Sequence, residues 1–175
     1  LRCKAYRHTY AWNKIYRKEV FNQVRFPSGM NFEDSLTLPL ILKNCQRVAT
    51  TGMGLYYYCE NPNGITRRAT AEDLSCLLLA HVRAIINFER KLSRRKDKKE
   101  WEKDMGTYYA HVLNIQFDVY DKSGRFFVKS RNRRKSNIKY RFPILPYRNT
   151  FKLKLLHLLG IKRLCSLHKT FKRLS

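Results

Sequence analysis

Apolar residues recur at helical spacing in several stretches of this chain. Leu74, Leu78, His81, Ile85, Phe88 and Leu92 follow one another at alternating intervals of four and three, as do Trp101, Met105, Tyr108, Val112, Ile115 and Val119. Each seam lies on one side of a helix. The pattern predicts two consecutive helices that pack as an antiparallel pair or lie side by side on an α/β part. Thr70-Ala71-Glu72-Asp73 has capping-box form ahead of the first helix, and Ser123-Gly124 ends the second. A shorter helix, Glu33–Asn44, follows from Leu36, Leu40 and Ile41.

Other stretches read as extended. Residues 10–16 mix aromatic and β-branched side chains, and residues 47–51 and 55–59 are β-rich runs separated by Gly52-Met53-Gly54. A strand, a helix and two further short strands predict the edge of a mixed α/β sheet, with too few strands to close a core of their own. Residues 125–148, with Pro143, Pro146 and a dense basic run, read as an extended linker. Beyond it Ile161, Leu164, Leu167, Phe171 and Leu174 form one helical face, preceded by Phe151 and the leucines 153, 155, 156, 158 and 159. Three regions result: an α/β portion over 1–66, a helical pair over 67–121, and a basic linker with an amphipathic tail over 122–175.

Charge changes the reading of the tail. The chain carries 37 Lys/Arg and 13 Asp/Glu; from residue 122 onward there are 17 Lys/Arg and no acid, leaving 37 − 17 = 20 cations against all 13 acids before it. No apolar run reaches the length of a membrane span. Lys152, Lys154, Lys162, Arg163, Lys169, Lys172 and Arg173 beside that leucine-rich face predict a helix lying in an anionic membrane interface rather than docked on its own domain. A non-enzymatic nucleic-acid binder is the alternative that charge permits. The continuous apolar face argues against it, since phosphate binding does not require one.

Five cysteines stand at irregular spacing with no Cys-x-x-Cys pair, and five histidines are scattered, so no metal-ligand set is predicted and a reducing compartment follows. The chain begins at Leu1 and runs on without the apolar segment of a signal peptide, which predicts a fragment.

Acid-base chemistry concentrates at Glu33-Asp34, where the loop from Arg25-Phe26-Pro27-Ser28-Gly29 turns into a helix. One reading is structural: Asn31 as N-cap, with Asp34 three residues on closing a capping box. The other is catalytic, since a carboxylate fixed at a helix N-terminus is poised to accept a proton.

The ordered set Trp12-Asn13-Lys14-Ile15-Tyr16-Arg17, Arg25-Phe26-Pro27-Ser28-Gly29, Glu33-Asp34, Leu55-Tyr56-Tyr57-Tyr58 and Asn63-Gly64-Ile65-Thr66 resembles the second half of a family 2 glycosyltransferase of the inverting, GT-A type. The resemblance implies a partial GT-A fold, the acceptor-side half, followed by a mainly helical C-terminal region. It further implies transfer of a sugar from a nucleotide-sugar donor to a hydroxyl of a glycan or lipid-linked acceptor, in cell-surface polysaccharide or glycolipid synthesis at the cytoplasmic membrane face. Asp34 inherits the role of general base and Glu33 a supporting one. Trp12 would offer a ring face to a sugar, while Asn13 and Lys14 would bond hydroxyls or meet a phosphate; packing and surface roles account for the three equally well. The family's divalent metal, Mg or Mn, sits on an Asp-x-Asp motif that precedes these motifs, and no Asp-x-Asp occurs in this sequence. The chain alone is therefore expected to be inactive. Two positions depart from the family pattern: Gly64 replaces its common Ser, and Cys59 replaces an Arg that often follows the tyrosine run.

Overall fold

A computed structural model describes residues 6, 8–54, 56–92, 98–129 and 140–174. Among the described residues four helices follow in order: α1 (Glu33–Asn44), α2 (Ala71–Leu92), α3 (Lys98–Ser123) and α4 (Phe151–Leu174), with a short 3₁₀ turn at Lys18–Phe21 before them. No strand occurs among the described residues.

The expected α/β sheet edge, and with it the GT-A fold class, is thus overturned. Residues 10–16 form a bend and turn followed by irregular chain, and the described parts of 47–51 and 55–59 are irregular too. Leu55 lies outside the described residues. The physical reason is the absence of a partner. A strand exists by exchanging N–H and C=O bonds with a neighbour, and among the described residues no backbone group of residues 46–60 bonds to another segment; Met53 N–H reaches only Thr51 Oγ1 within the same arm. Val48, Met53, Tyr56, Tyr57 and Tyr58 are left exposed along this arm, Tyr57 to 89%.

The core belongs to α2, α3 and α4. The α3 seam is buried throughout, and on α2 Leu78, His81 and Ile85 are buried while Leu74 and Phe88 are half-buried against the same cluster; the Leu92 side chain lies outside the described residues. The two helices run antiparallel. His81 Nδ1 and Tyr108 Oη sit 3.0 Å apart at positions mirrored about the connection, and the Val128 N–H beyond the end of α3 reaches Ser75 near the start of α2 at 2.9 Å. Thr70 and Asp73 form the expected box, with Thr70 N–H donating to Asp73 Oδ2 at 2.9 Å and Asp73 N–H to Thr70 Oγ1 at 3.2 Å. Gly124, at φ 67°, closes α3 with a 2.7 Å bond to the Tyr120 carbonyl.

The stretch read as a linker does more than connect. Phe142, Leu145 and Tyr147 are buried in the same cluster, so residues 140–149 form a strap across α3. Tyr109 Oη donates to the Pro143 carbonyl and accepts the Leu145 N–H, and Tyr147 Oη donates to Glu89. Tyr140 Oη donates to Gln116 Oε1 at 2.9 Å while Gln116 Nε2 donates to the Phe126 carbonyl at 2.9 Å, so the fully buried Gln116 amide is satisfied at both ends. Burial raises the Tyr109 hydroxyl to about 12, against the opposing effect of the Leu145 N–H bond, which keeps this strap-holding donor protonated at neutral pH.

α4 is two limbs. Gly160 takes φ 72°, ψ 165°, a conformation open essentially to glycine alone, and breaks the helix there. The first limb buries Leu153 and Leu156 and the second Leu164 and Cys165, while His168 stacks on Phe117 of α3 at 4.2 Å. No helix of the described residues is long and apolar enough to cross a membrane.

Candidate functional site

Helix α1 presents the two carboxylates. Its N-cap position is Phe32, held in the left-handed region at φ 61°, and no side chain caps it. The capping-box reading of Asn31 and Asp34 therefore fails. Asn31 turns away to donate through Nδ2 to Asp73 Oδ1 at 2.9 Å, tying the α1 entry to the start of α2. Burial alone would raise the Asp73 pKa, but the bonds from Thr70 and Asn31 outweigh it and hold the carboxyl below its ordinary range. A bulky residue at positive φ costs about 1–3 kcal/mol and persists only where its surroundings demand it. Here it sets the turn that delivers Glu33 and Asp34.

Asp34 is half-buried, and its Oδ1 accepts the Ser35 N–H at 2.7 Å. Among the described residues the hydrogen bonds to this carboxylate all fall on Oδ1. Glu33, also half-buried, contributes its carbonyl to Thr37 Oγ1 at 2.8 Å. Ser35 is buried and pairs its hydroxyl with Thr9 at 2.8 Å, which fastens the N-terminal segment to α1. Nothing in the sequence pointed to that pair, since Thr9 lies in a stretch without periodicity.

The acceptor residues predicted from the sequence fall in the same neighbourhood. Burial lowers the Lys14 pKa while the negative charge of Asp34 opposes that, and burial raises the Tyr16 hydroxyl with Asp34 and Cys45 adding to the effect. Both groups thus sense Asp34. Trp12, Asn13, Lys14, Tyr16 and Ser35 line one open cavity of about 2250 Å³, walled elsewhere by Leu38 and Ile41 of α1, His81 of α2, and Trp101, Asp104 and Tyr108 of α3. Glu33 and Asp34 do not line it themselves.

Closer geometry reassigns two of the predicted contacts. The Lys14 ammonium donates to the carbonyls of His8 at 2.8 Å and Tyr10 at 2.6 Å and to Asn13 Oδ1 at 2.5 Å, so its three protons close its own loop. The Trp12 indole is stacked with Tyr58 at 4.8 Å and Tyr10 at 5.4 Å and tilts against Tyr56 at 4.7 Å. Tyrosines flank the ring while Trp12 stays 41% exposed, and this cluster tethers residues 56–58 to residues 10–12.

Among the described residues no group of three or more His, Cys, Asp or Glu could hold a metal ion. No step is therefore assigned to a metal. Of the seven cations expected to bind a membrane, Lys172 pairs with Asp121 at 3.0 Å, Lys152 donates to Asn114 at 2.8 Å, and Lys169 lies 5.6 Å over the Tyr120 ring. Lys154, Lys162, Arg163 and Arg173 are exposed, with no acid at ion-pair distance among the described residues.

No protein-family model matches this chain, and no curated protein or solved structure matches it.

Proposed function

We propose that this chain is the acceptor-side part of an inverting glycosyltransferase, peripherally attached to the cytoplasmic face of a membrane, with Asp34 as its general base. The observation that carries the reading is the conjunction of the five ordered motifs with one neighbourhood: Trp12, Asn13, Lys14 and Tyr16, from the first motif, line the same cavity as Ser35, the residue after Asp34 of the third. In the reaction, Asp34 Oδ2 takes the proton of an acceptor hydroxyl as its oxygen attacks the anomeric carbon of a nucleotide-activated sugar. The bond from that carbon to the nucleotide phosphate breaks in the same displacement, which inverts the configuration and releases the nucleotide. Glu33 supports the helix start beside it. Donor binding belongs to sequence outside these 175 residues, because the chain holds no Asp-x-Asp.

The test is Asp34→Asn in an enzyme containing this chain, assayed with nucleotide sugars and a hydroxyl acceptor. Turnover should fall by about 10²- to 10⁴-fold, the usual contribution of a general base, with donor affinity unchanged. Turnover like that of the parent enzyme would remove Asp34 from the role, and a parent enzyme without transfer to any hydroxyl would overturn the glycosyl-transfer reading.

A further inference from the structure

The docking of α4 on α3 divides the apolar face expected from the sequence. Leu164 turns inward with Leu153, Leu156 and Cys165, whereas Phe151, Leu158, Leu167, Phe171 and Leu174 remain outside at 74%, 78%, 43%, 69% and 79% exposure. Arg163, Leu167, Phe171 and Leu174 follow at intervals of four, four and three, so they share one side of the second limb. Phe151, Lys154 and Leu158 share one side of the first in the same way. Cations with no acid at ion-pair distance among the described residues thus stand within both outward apolar stripes.

We infer that these outward stripes, not the whole amphipathic face, seat the protein on an anionic lipid surface. Leu158, Leu167, Phe171 and Leu174 enter the interface, with Lys154 and Arg163 meeting lipid phosphates. This rests on the membrane-attached part of the reading above and is independent of Asp34. Charge selects the occupant. From residue 122 onward there are 17 Lys/Arg and no acid, so a second copy docked stripe to stripe would bring cation against cation. A nucleic acid would satisfy the cations and leave five large apolar side chains in water. An anionic bilayer interface satisfies both sets at once. The three cations tied to Asp121, Asn114 and the Tyr120 ring serve instead to hold α4 on α3.

The experiment is flotation of the full chain with vesicles of phosphatidylcholine alone or mixed with phosphatidylglycerol, at low and high salt. Wild-type protein should float with the mixed vesicles about tenfold better than with the neutral ones, and less well at high salt. Phe171→Ser with Leu174→Ser, and separately Lys154→Ala with Arg163→Ala, should each reduce that recovery about tenfold with the helical circular dichroism unchanged. Leu40→Ser, at an exposed leucine of α1, should float as wild type. Absence of wild-type flotation would overturn the membrane-attached reading itself. Flotation of the Phe171/Leu174 variant equal to wild type would overturn the assignment of the stripes while leaving that reading intact. A concentration-dependent dimer abolished by the same variant, without vesicle binding, would make a second copy the occupant, and salt-sensitive retention of RNA without vesicle binding would make it a nucleic acid.

Discussion

Gly106 of α3 lies beneath the side chain of Asn149: a Cβ at Gly106 would stand 1.8 Å from Asn149 Oδ1. Asn149 Nδ2 donates to the Lys103 carbonyl at 3.1 Å, so the end of the 140–149 strap is clamped to α3 where the helix has no side chain. Gly106→Ala should therefore push the exposed Asn149 amide aside and lose its bond to the Lys103 carbonyl, about 0.5–1.5 kcal/mol, which offsets the gain from alanine's better helix propensity. In an Asn149→Ala background the obstacle is gone, and the same substitution should stabilise by about 0.8–1.0 kcal/mol through helix propensity alone. Urea denaturation of the four proteins measures the difference between the two backgrounds. The same change in both would show that Asn149 does not oppose a side chain there.

Stability should fall in mild acid through His81. Its ring is buried between α2 and α3, and burial, assisted by the neighbouring His111, lowers its pKa to about 3. The unfolded chain has an ordinary histidine pKa of about 6.5. Between those values only the unfolded chain takes up the proton, so the contribution to stability is complete above about pH 6.5 and is lost as the pH falls towards 3. From pH 7 to pH 5 wild type should lose about 1–2 kcal/mol more than His81→Asn, which keeps a polar partner for Tyr108 without a titrating ring. Equal losses in the two proteins would place the acid sensitivity elsewhere.

The sequence carries the existence of α2 and α3 because a seam such as Leu78, His81 and Ile85 is a local statement about one helix side. It carries the direction of burial in α4 less well. Leu164 and Leu167 have the same hydrophobicity and lie on neighbouring parts of one face, and only the position of α3 decides that the first is buried and the second is not. The strap is harder still, since Phe142, Leu145 and Tyr147 follow no period and Pro143 and Pro146 break any pattern. The extended arm misleads for the opposite reason. Tyr56, Tyr57 and Tyr58 fit a pleated surface, but β-propensity describes packing against a neighbouring strand and no such strand is present among the described residues. At the site, the order of motifs marks Asp34 and Trp12, whereas the commitment of Lys14 to its own loop depends on where the His8 and Tyr10 carbonyls point.

That same arm provides the sharpest test of what Trp12 does. Among the described residues no backbone bond ties residues 46–60 to another segment, so the ring contacts of Trp12 with Tyr56 and Tyr58 form its aromatic tether. An aromatic contact is worth about 0.5–1.5 kcal/mol, so Trp12→Ala should raise the untethered population of the arm by roughly threefold to tenfold. Chymotrypsin cleavage at residues 56–58, timed under native conditions, should accelerate by that factor. The helical core does not include Trp12, so the urea midpoint should stay where it is. Trp12→Phe retains a ring and should restore most of the protection. If Trp12→Ala leaves cleavage unchanged, the indole is not holding the arm, and the predicted sugar-facing role of Trp12 regains its full weight. If cleavage accelerates and Trp12→Phe restores it, Trp12 positions the tyrosines beside the cavity.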